Sequence, residues 1–206
     1  MDLTHWVDPV KEPPPHALAV VVCCRPGRVG VKNSLMILPS VRDPRLVSIR
    51  RGGLLAESDH QLLALWSAIC AEHVLELFEI SNRQDDRPRA AIEAVRAWTR
   101  GEAKMITTRA IGGHAMGAAR PLRGAARFAA YSAGQTACVA HVPEHDLGAA
   151  AYAIKAAAAA APRGHERGAA RAERDWQRQQ VPGHLRALVL EDQNRRNSIC
   201  WSVFDD

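Results

Sequence analysis

The chain has 206 residues, of which 47% are hydrophobic and 24% are charged, and this balance is typical of a folded globular domain with or without an appendage. The composition excludes wholesale disorder, and no apolar run approaches the ~20 residues that a membrane-spanning helix needs. The first apolar run, residues 17–24, follows mainly acidic residues and not the basic segment of a secretory signal. We therefore expect a cytoplasmic protein without a membrane anchor.

The formal net charge of +5 is concentrated near the amino terminus. Residues 1–55 carry 8 Lys and Arg against 4 Asp and Glu, whereas residues 56–206 carry 19 against 18. A nucleic-acid-binding module usually collects its positive charge on a folded face. This distribution therefore argues against nucleic acid as the main partner.

The five cysteines are scattered along the chain without C-x-x-C spacing. Their number and spacing argue against a disulfide framework and against a structural zinc site. Cys70 and Cys138 lie in apolar helical contexts, where a cysteine usually acts as a small buried hydrophobic residue. The sequence predicts no metal and no cofactor, and it leaves the oligomeric state open.

Residues 1–55 are rich in proline, glycine and arginine, which predicts an irregular extension. Two interpretations of this segment remain open. It is a poorly ordered extension, or residues 19–24 and 34–38 pair as a hairpin around an Arg-Pro-Gly-Arg turn. The predicted helical domain then covers residues 56–206.

Helical signals begin at Ser58, where Ser58 and Gln61 fit a capping box. Apolar residues then recur every three or four positions as far as Phe78, which predicts an amphipathic helix of about five turns. Asp86 is a candidate N-cap for a second helix, with Pro88 in its first turn and Gly101 as its stop.

Alanine dominates residues 102–162 and predicts closely packed helices. Gly112 and Gly113 predict a helix break. The remaining helices are expected over about 102–119, 121–140, 143–161 and 166–180, with a last one from Pro182. The fold class is therefore all-α, a compact bundle or array of six or seven alanine-rich helices.

Four histidines in the helical region are candidates for general acid or base chemistry: His73, His114, His141 and His145. Their spacing is weaker than a metal-binding signature, because Pro143 separates the last two. The alternative is that each histidine is packed separately between helices.

Large aromatic residues and a few charged ones could line a cavity among the alanine-rich helices. The same aromatic residues could equally fill the core. The candidate substrate-binding residues are Trp66, Glu72, Trp98, Arg120, Arg127, Tyr131 and Tyr152.

Several sequence blocks resemble one known family. They are residues 60–75 and 86–101, the histidines at 141 and 145, residues 149–156, and Glu173–Gln177 leading to Pro182. This order is similar to the immunity-protein-five-like helical family associated with bacterial polymorphic toxin systems. The resemblance covers about residues 57–190 and implies an all-helical protein that binds and neutralises a cognate toxin. The family carries no established catalytic set.

Two functions follow as hypotheses. The first is a toxin-binding protein whose anchors lie near the exposed charges of residues 85–89. The second is a small-molecule enzyme in which one of the four histidines acts as acid or base while Arg120 or Arg127 holds an anionic group. A third and weaker hypothesis is nucleic-acid binding through the basic amino-terminal arm.

Overall fold

The computed structural model describes residues 38–205, and in this part of the chain all regular structure is helical. The predicted all-α class is confirmed. The eight α-helices of this region are α1 (Glu57–His73), α2 (Glu76–Glu79), α3 (Arg87–Thr99), α4 (Met105–Ala119), α5 (Gly124–Val139), α6 (Asp146–Ala160), α7 (Glu166–Gln179) and α8 (Arg186–Arg196). None of these helices is long and apolar enough to cross a bilayer.

α5 is the central helix, and it packs against α1, α2, α3, α4 and α6. Every residue from 132 to 139 is buried, and most of them are small. Consecutive helices from α3 to α7 are joined by short turns and pack as antiparallel neighbours. The carboxyl ends of α4 and α6 therefore lie at the same end of the array as the amino end of α5.

The crossing of α4 and α5 explains why the predicted break at Gly112 and Gly113 is wrong. α4 runs through both glycines, and a Cβ atom added to Gly112 would lie 2.7 Å from the carbonyl oxygen of Gly134 on α5. A Cβ added to Gly134 would in turn lie 2.5 Å from Cγ of Met116. The glycines permit close helix packing here, whereas Gly101, with φ +77°, does end the preceding helical segment as predicted.

The predicted first helix differs from the structure at both ends. It begins at Glu57 because hydrogen bonds of Leu55 to residues 47 and 49 hold the chain extended as far as Ala56. Ser58 therefore lies inside the first turn and makes no capping bond. The helix ends at His73, since Val74 leaves helical geometry and the direction changes before α2. This division explains why there are eight helices where six or seven were predicted.

The start of α3 also differs from its prediction. Asp86 already has helical geometry and makes no side-chain cap bond. Asp85 Oδ1 instead accepts a hydrogen bond from the backbone N–H of Arg87 at 3.2 Å. Pro88 lies in the first turn, as predicted.

Two segments outside the helices complete the main hydrophobic core. Leu46 and Leu55, which belong to the predicted amino-terminal extension, are fully or almost fully buried in it, and so is Phe204 near the other end of the chain. Cys70 and Cys138 are buried as predicted. The hairpin proposed for residues 19–24 and 34–38 lies outside the described residues, apart from Leu38.

A buried ionic network fastens α8 to the start of α6. Arg196, which is 1% exposed, donates to the backbone oxygen of Glu144 at 2.7 Å, to Asp146 Oδ1 at 3.2 Å and to Asp192 Oδ2 at 2.9 Å. Burial raises the pKa of Asp146 to about 7, and the attraction of Arg196 opposes this rise. Arg42 pairs with the buried Glu144 at the edge of the same network.

Candidate functional site

A cluster of rings and cations lies on the surface formed by α5, α6 and the carboxy-terminal segment. Tyr131 stacks on Tyr152 with ring centroids 5.1 Å apart, and Trp201 contacts the Tyr152 ring at 4.9 Å. The ammonium of Lys155 lies 3.8 Å from the centroid of Trp201. We call this cluster the aromatic–cation surface, and its members are Arg127, Phe128, Tyr131, Tyr152, Lys155 and Trp201.

The antiparallel packing of α5 and α6 creates this surface. The hydroxyl of Ser132 donates to the backbone oxygen of Ala149 at 2.8 Å and fixes the register of the two helices. Positions 127, 128 and 131 share one face of α5, and positions 152 and 155 share one face of α6. Trp201 follows a 3-10 turn and has φ 60°, which turns the chain so that its ring reaches Lys155 and Tyr152.

Lys155 has an unusual electrostatic environment. Its ammonium lies over two rings, those of Trp201 and, at 4.7 Å, Phe128, and it is partly buried. Burial lowers the pKa of Lys155. Within residues 38–205 no acidic side chain lies within ion-pair distance of it. Burial also raises the pKa of Tyr152 to about 12, so its phenol stays neutral at physiological pH.

The helices around Lys155 also carry positive charge and few negative charges. Residues 103–143 contain no Asp and no Glu, and neither do residues 147–165. Arg120 and Arg123 are exposed in the turn between α4 and α5, and Arg123 precedes Arg127 by four positions. Arg127 lies 5.4 Å from the Tyr131 ring centroid and donates to the backbone oxygen of Leu122 at 3.4 Å. The α4–α5 turn and the adjoining face of α5 are therefore basic.

The charges near α3 are arranged differently, because they are paired locally. Arg87 donates to Asp85 at 2.5 Å, and Arg89 makes two bonds of 2.7 Å to Glu79. Arg96 holds Glu72 at 2.5 Å, and this ion pair lowers the pKa of the Glu72 carboxyl. The charged turn that the sequence suggested as a contact patch therefore satisfies most of its own charge.

Two histidines lie beside a small cleft of about 110 Å³ at the amino end of α1. His60 donates from Nε2 to the backbone oxygen of Val139 at 2.7 Å, and its ring contacts Trp98. His141 accepts at Nδ1 from Arg51 at 3.0 Å. Burial lowers the pKa of both imidazoles, so both are neutral at physiological pH. The sequence analysis did not select His60, which is 4% exposed in α1, and selected His73 of the same helix, whose side chain is 44% exposed.

The four candidate histidines do not form one cluster, although His141 is near enough to His145 to help lower its pKa. His73 stacks on Trp176 at 3.6 Å and bonds Glu173 at 2.7 Å, on the α7 side of α1. It lies 13 residues after His60 in the same helix, which is about 20 Å along the axis. His114 is exposed on α4, and His145 is partly buried beside Gln135.

The seven candidate substrate-binding residues separate into groups. Trp66 is 1% exposed and donates from its indole N–H to the backbone oxygen of Gln177, so it belongs to the core. Glu72 is held by Arg96, Trp98 lines the cleft, and Arg120 is exposed. The structure brings together only the last three, Arg127, Tyr131 and Tyr152. Lys155 and Trp201 complete their cluster with Phe128, and the two stretches without acidic residues, 103–143 and 147–165, contain all of its members except Trp201.

Protonation of His145 is expected to make stability depend on pH. Its Nδ1–H donates to Oε1 of Gln135 at 2.6 Å, and burial lowers its pKa to about 3. Between pH 6.5 and 3 the unfolded imidazole therefore binds a proton that the native one does not. Stability should fall as the pH falls through this window, by up to about 1.4 kcal/mol per pH unit from this group.

Urea unfolding of the wild type and of His145→Gln at several pH values measures this contribution as the difference between two slopes. His60 and His141 act in the same direction in both proteins, and the raised pKa of Asp146 acts in the opposite one. Equal slopes in the two proteins would contradict the prediction.

No group of three or more His, Cys, Asp or Glu residues in the described region could hold a metal ion.

Comparison with known proteins adds one finding. Residues 53–184 match a family described as Imm-5 like putative immunity protein, and this region contains α1 to α7. No curated protein and no solved structure matches the chain. The match covers well over half of the 206 residues and confirms the resemblance seen in the sequence blocks. The chain belongs to the Imm-5 like putative immunity protein family.

Proposed function

We propose that this protein is a bacterial, cytoplasmic immunity protein that neutralises a cognate toxin by binding it directly. The family match over residues 53–184 is the observation that carries this proposal. The partner is then another protein, and a standard interface with it buries about 1,600 Å² in total.

The aromatic–cation surface supports a binding role. Protein interfaces draw most of their affinity from a few residues, among which Trp, Tyr and Arg are enriched. Tyr131, Trp201 and Arg127 are residues of these types, and each is partly exposed. The turn at residues 85–89 is a weaker candidate, because its arginines already pair with Asp85 and Glu79.

An enzymatic function draws less support from the described residues. The cleft beside His60 and His141 has about 110 Å³, below the roughly 300 Å³ of a typical small-molecule site. A larger groove of about 460 Å³ between α6 and α7 is shallow and lined mainly by alanine, and His165 is its one imidazole. Neither feature combines a closed pocket with convergent catalytic groups.

Coexpression with a candidate toxin encoded by an adjacent gene tests the proposal. In a bacterial host, the toxin alone is expected to stop growth and the pair is expected to grow normally. The purified proteins should form a complex with a Kd of about 10⁻⁷ M or tighter, measured by calorimetry. The protein without toxin should leave growth unchanged, which controls for indirect effects. Growth arrest by the toxin despite soluble, folded protein would contradict the proposed function.

A further inference from the structure

The partly buried ammonium of Lys155 is a charge that the described fold leaves uncompensated. Its contacts are the ring faces of Phe128 and Trp201, and cation–π contacts stabilise a cation without neutralising it. A charged group that is removed from water is stabilised most by an opposite charge. A carboxylate supplied from outside would provide that charge.

The surface around Lys155 carries further positive side chains without acidic partners. Arg120, Arg123 and Arg127 follow one another at the α4–α5 end of the array, and none of them pairs with an acidic side chain of residues 38–205. The absence of acidic residues from 103–143 and 147–165 means that α4, α5 and α6 supply no counter-charge there. Electrostatic complementarity therefore favours an acidic partner.

We propose that the aromatic–cation surface is the toxin-docking surface, and that it receives an acidic segment whose Asp or Glu carboxylate pairs with Lys155. This inference rests on the proposed immunity function and specifies the chemistry of the partner. Arg120, Arg123 and Arg127 attract the same segment, and the rings of Tyr131 and Trp201 supply apolar contact around the ion pair.

A single-stranded nucleic acid fits this surface less well. Such ligands bind by stacking bases on free aromatic faces. Here Lys155 covers ring faces of Phe128 and Trp201, and Tyr131 covers a face of Tyr152. The rings therefore present fewer free faces for bases, while the ammonium and guanidinium groups remain available to a carboxylate.

The test compares charge variants of the full chain against the toxin of the neighbouring gene. Lys155→Glu and the uncharged Lys155→Gln should each weaken binding by about tenfold to a hundredfold, the range expected for losing a hydrogen bond to a charged group. Arg100→Glu is the matched control, because Arg100 is an exposed arginine at the far end of α3 and its one ion pair among residues 38–205 is with Glu102. This control should leave the Kd unchanged, and circular dichroism should show all variants folded.

A second arm does not depend on the toxin. A fluorescent glutamate-rich peptide, a glutamine-rich peptide of the same length and an oligothymidylate are titrated at low salt. The wild type should bind the glutamate-rich peptide in preference to both other probes, and Lys155→Gln should weaken that binding at least tenfold. This result in the absence of toxin binding would refute the proposed function and retain the surface as a binding site for acidic segments.

Three outcomes would overturn the inference. Toxin binding that is unaffected by both Lys155 variants would place the interface elsewhere and leave the immunity function intact. Tighter Lys155-dependent binding of oligothymidylate than of the glutamate-rich peptide would identify a nucleic-acid ligand. Failure of both the toxin and the glutamate-rich peptide to bind would refute the surface and the function together.

Discussion

Replacing Arg196 with alanine is expected to lower the free energy of unfolding by about 3–5 kcal/mol, because removing one partner leaves buried charges unpaired. Arg196 bonds Asp146 and Asp192, which are 1% and 2% exposed. Its bond to the backbone oxygen of Glu144 would also be lost. Guanidinium chloride unfolding measures the change.

The neighbouring Arg195 gives a matched control. It pairs with the same Asp192, but its side chain is 36% exposed, so Arg195→Ala should cost only about 0–1 kcal/mol. The pH dependence gives an independent check. Without Arg196 the Asp146 carboxyl has a still higher pKa in the native state, so the variant should lose less stability at pH 5 than at pH 8. Equal losses in the Arg195 and Arg196 variants would contradict a structural role for this network.

Adding a single methyl group at Gly112 is expected to destabilise the fold by about 1–3 kcal/mol, although alanine is the better helix former. The new Cβ would lie 2.7 Å from the backbone oxygen of Gly134 and 3.0 Å from Cβ of Ala137. The backbone of α5 cannot rotate away as a flexible side chain can. The two helices α4 and α5 would therefore have to separate.

The same substitution at Gly113 should instead stabilise the fold. A Cβ there has no neighbour within 4 Å, and exchanging glycine for alanine in an exposed helical position stabilises by roughly 0.5–1 kcal/mol. Thermal unfolding of Gly112→Ala and Gly113→Ala, compared with the wild type, measures both effects. Stabilisation of both variants would show that the crossing tolerates a wider separation.

The sequence predicts the helical class well because each helix carries a local signal. Alanine content, Pro88 in a first turn and Gly101 as a stop are all properties of nearby residues, and the structure confirms them. The predictions are wrong where a contact with a distant segment determines the local structure. The start of α1 depends on residues 47 and 49, and the role of Gly112 depends on Gly134, so neither can be inferred from its own neighbourhood.

The candidate site shows the same division. Arg127 and Tyr131 are recognisable from the sequence as a polar and an aromatic group on one helix. Trp201 joins them only because a 3-10 turn brings it back over Lys155, some 46 residues earlier in the chain. The positions of the four candidate histidines could not be predicted for a related reason. The residue types alone contain no information on which ends of the helices meet.

The hydrophobic core extends beyond both ends of the region that matches the family. The family match runs from 53 to 184, yet Leu46 precedes it, and Val189, Cys200 and Phe204 follow it in the same apolar cluster. A fragment cut at the family boundaries would open voids on two sides of the core and lose the partner of Asp146. We therefore expect the smallest fragment that folds on its own to extend at least from Leu46 to Phe204.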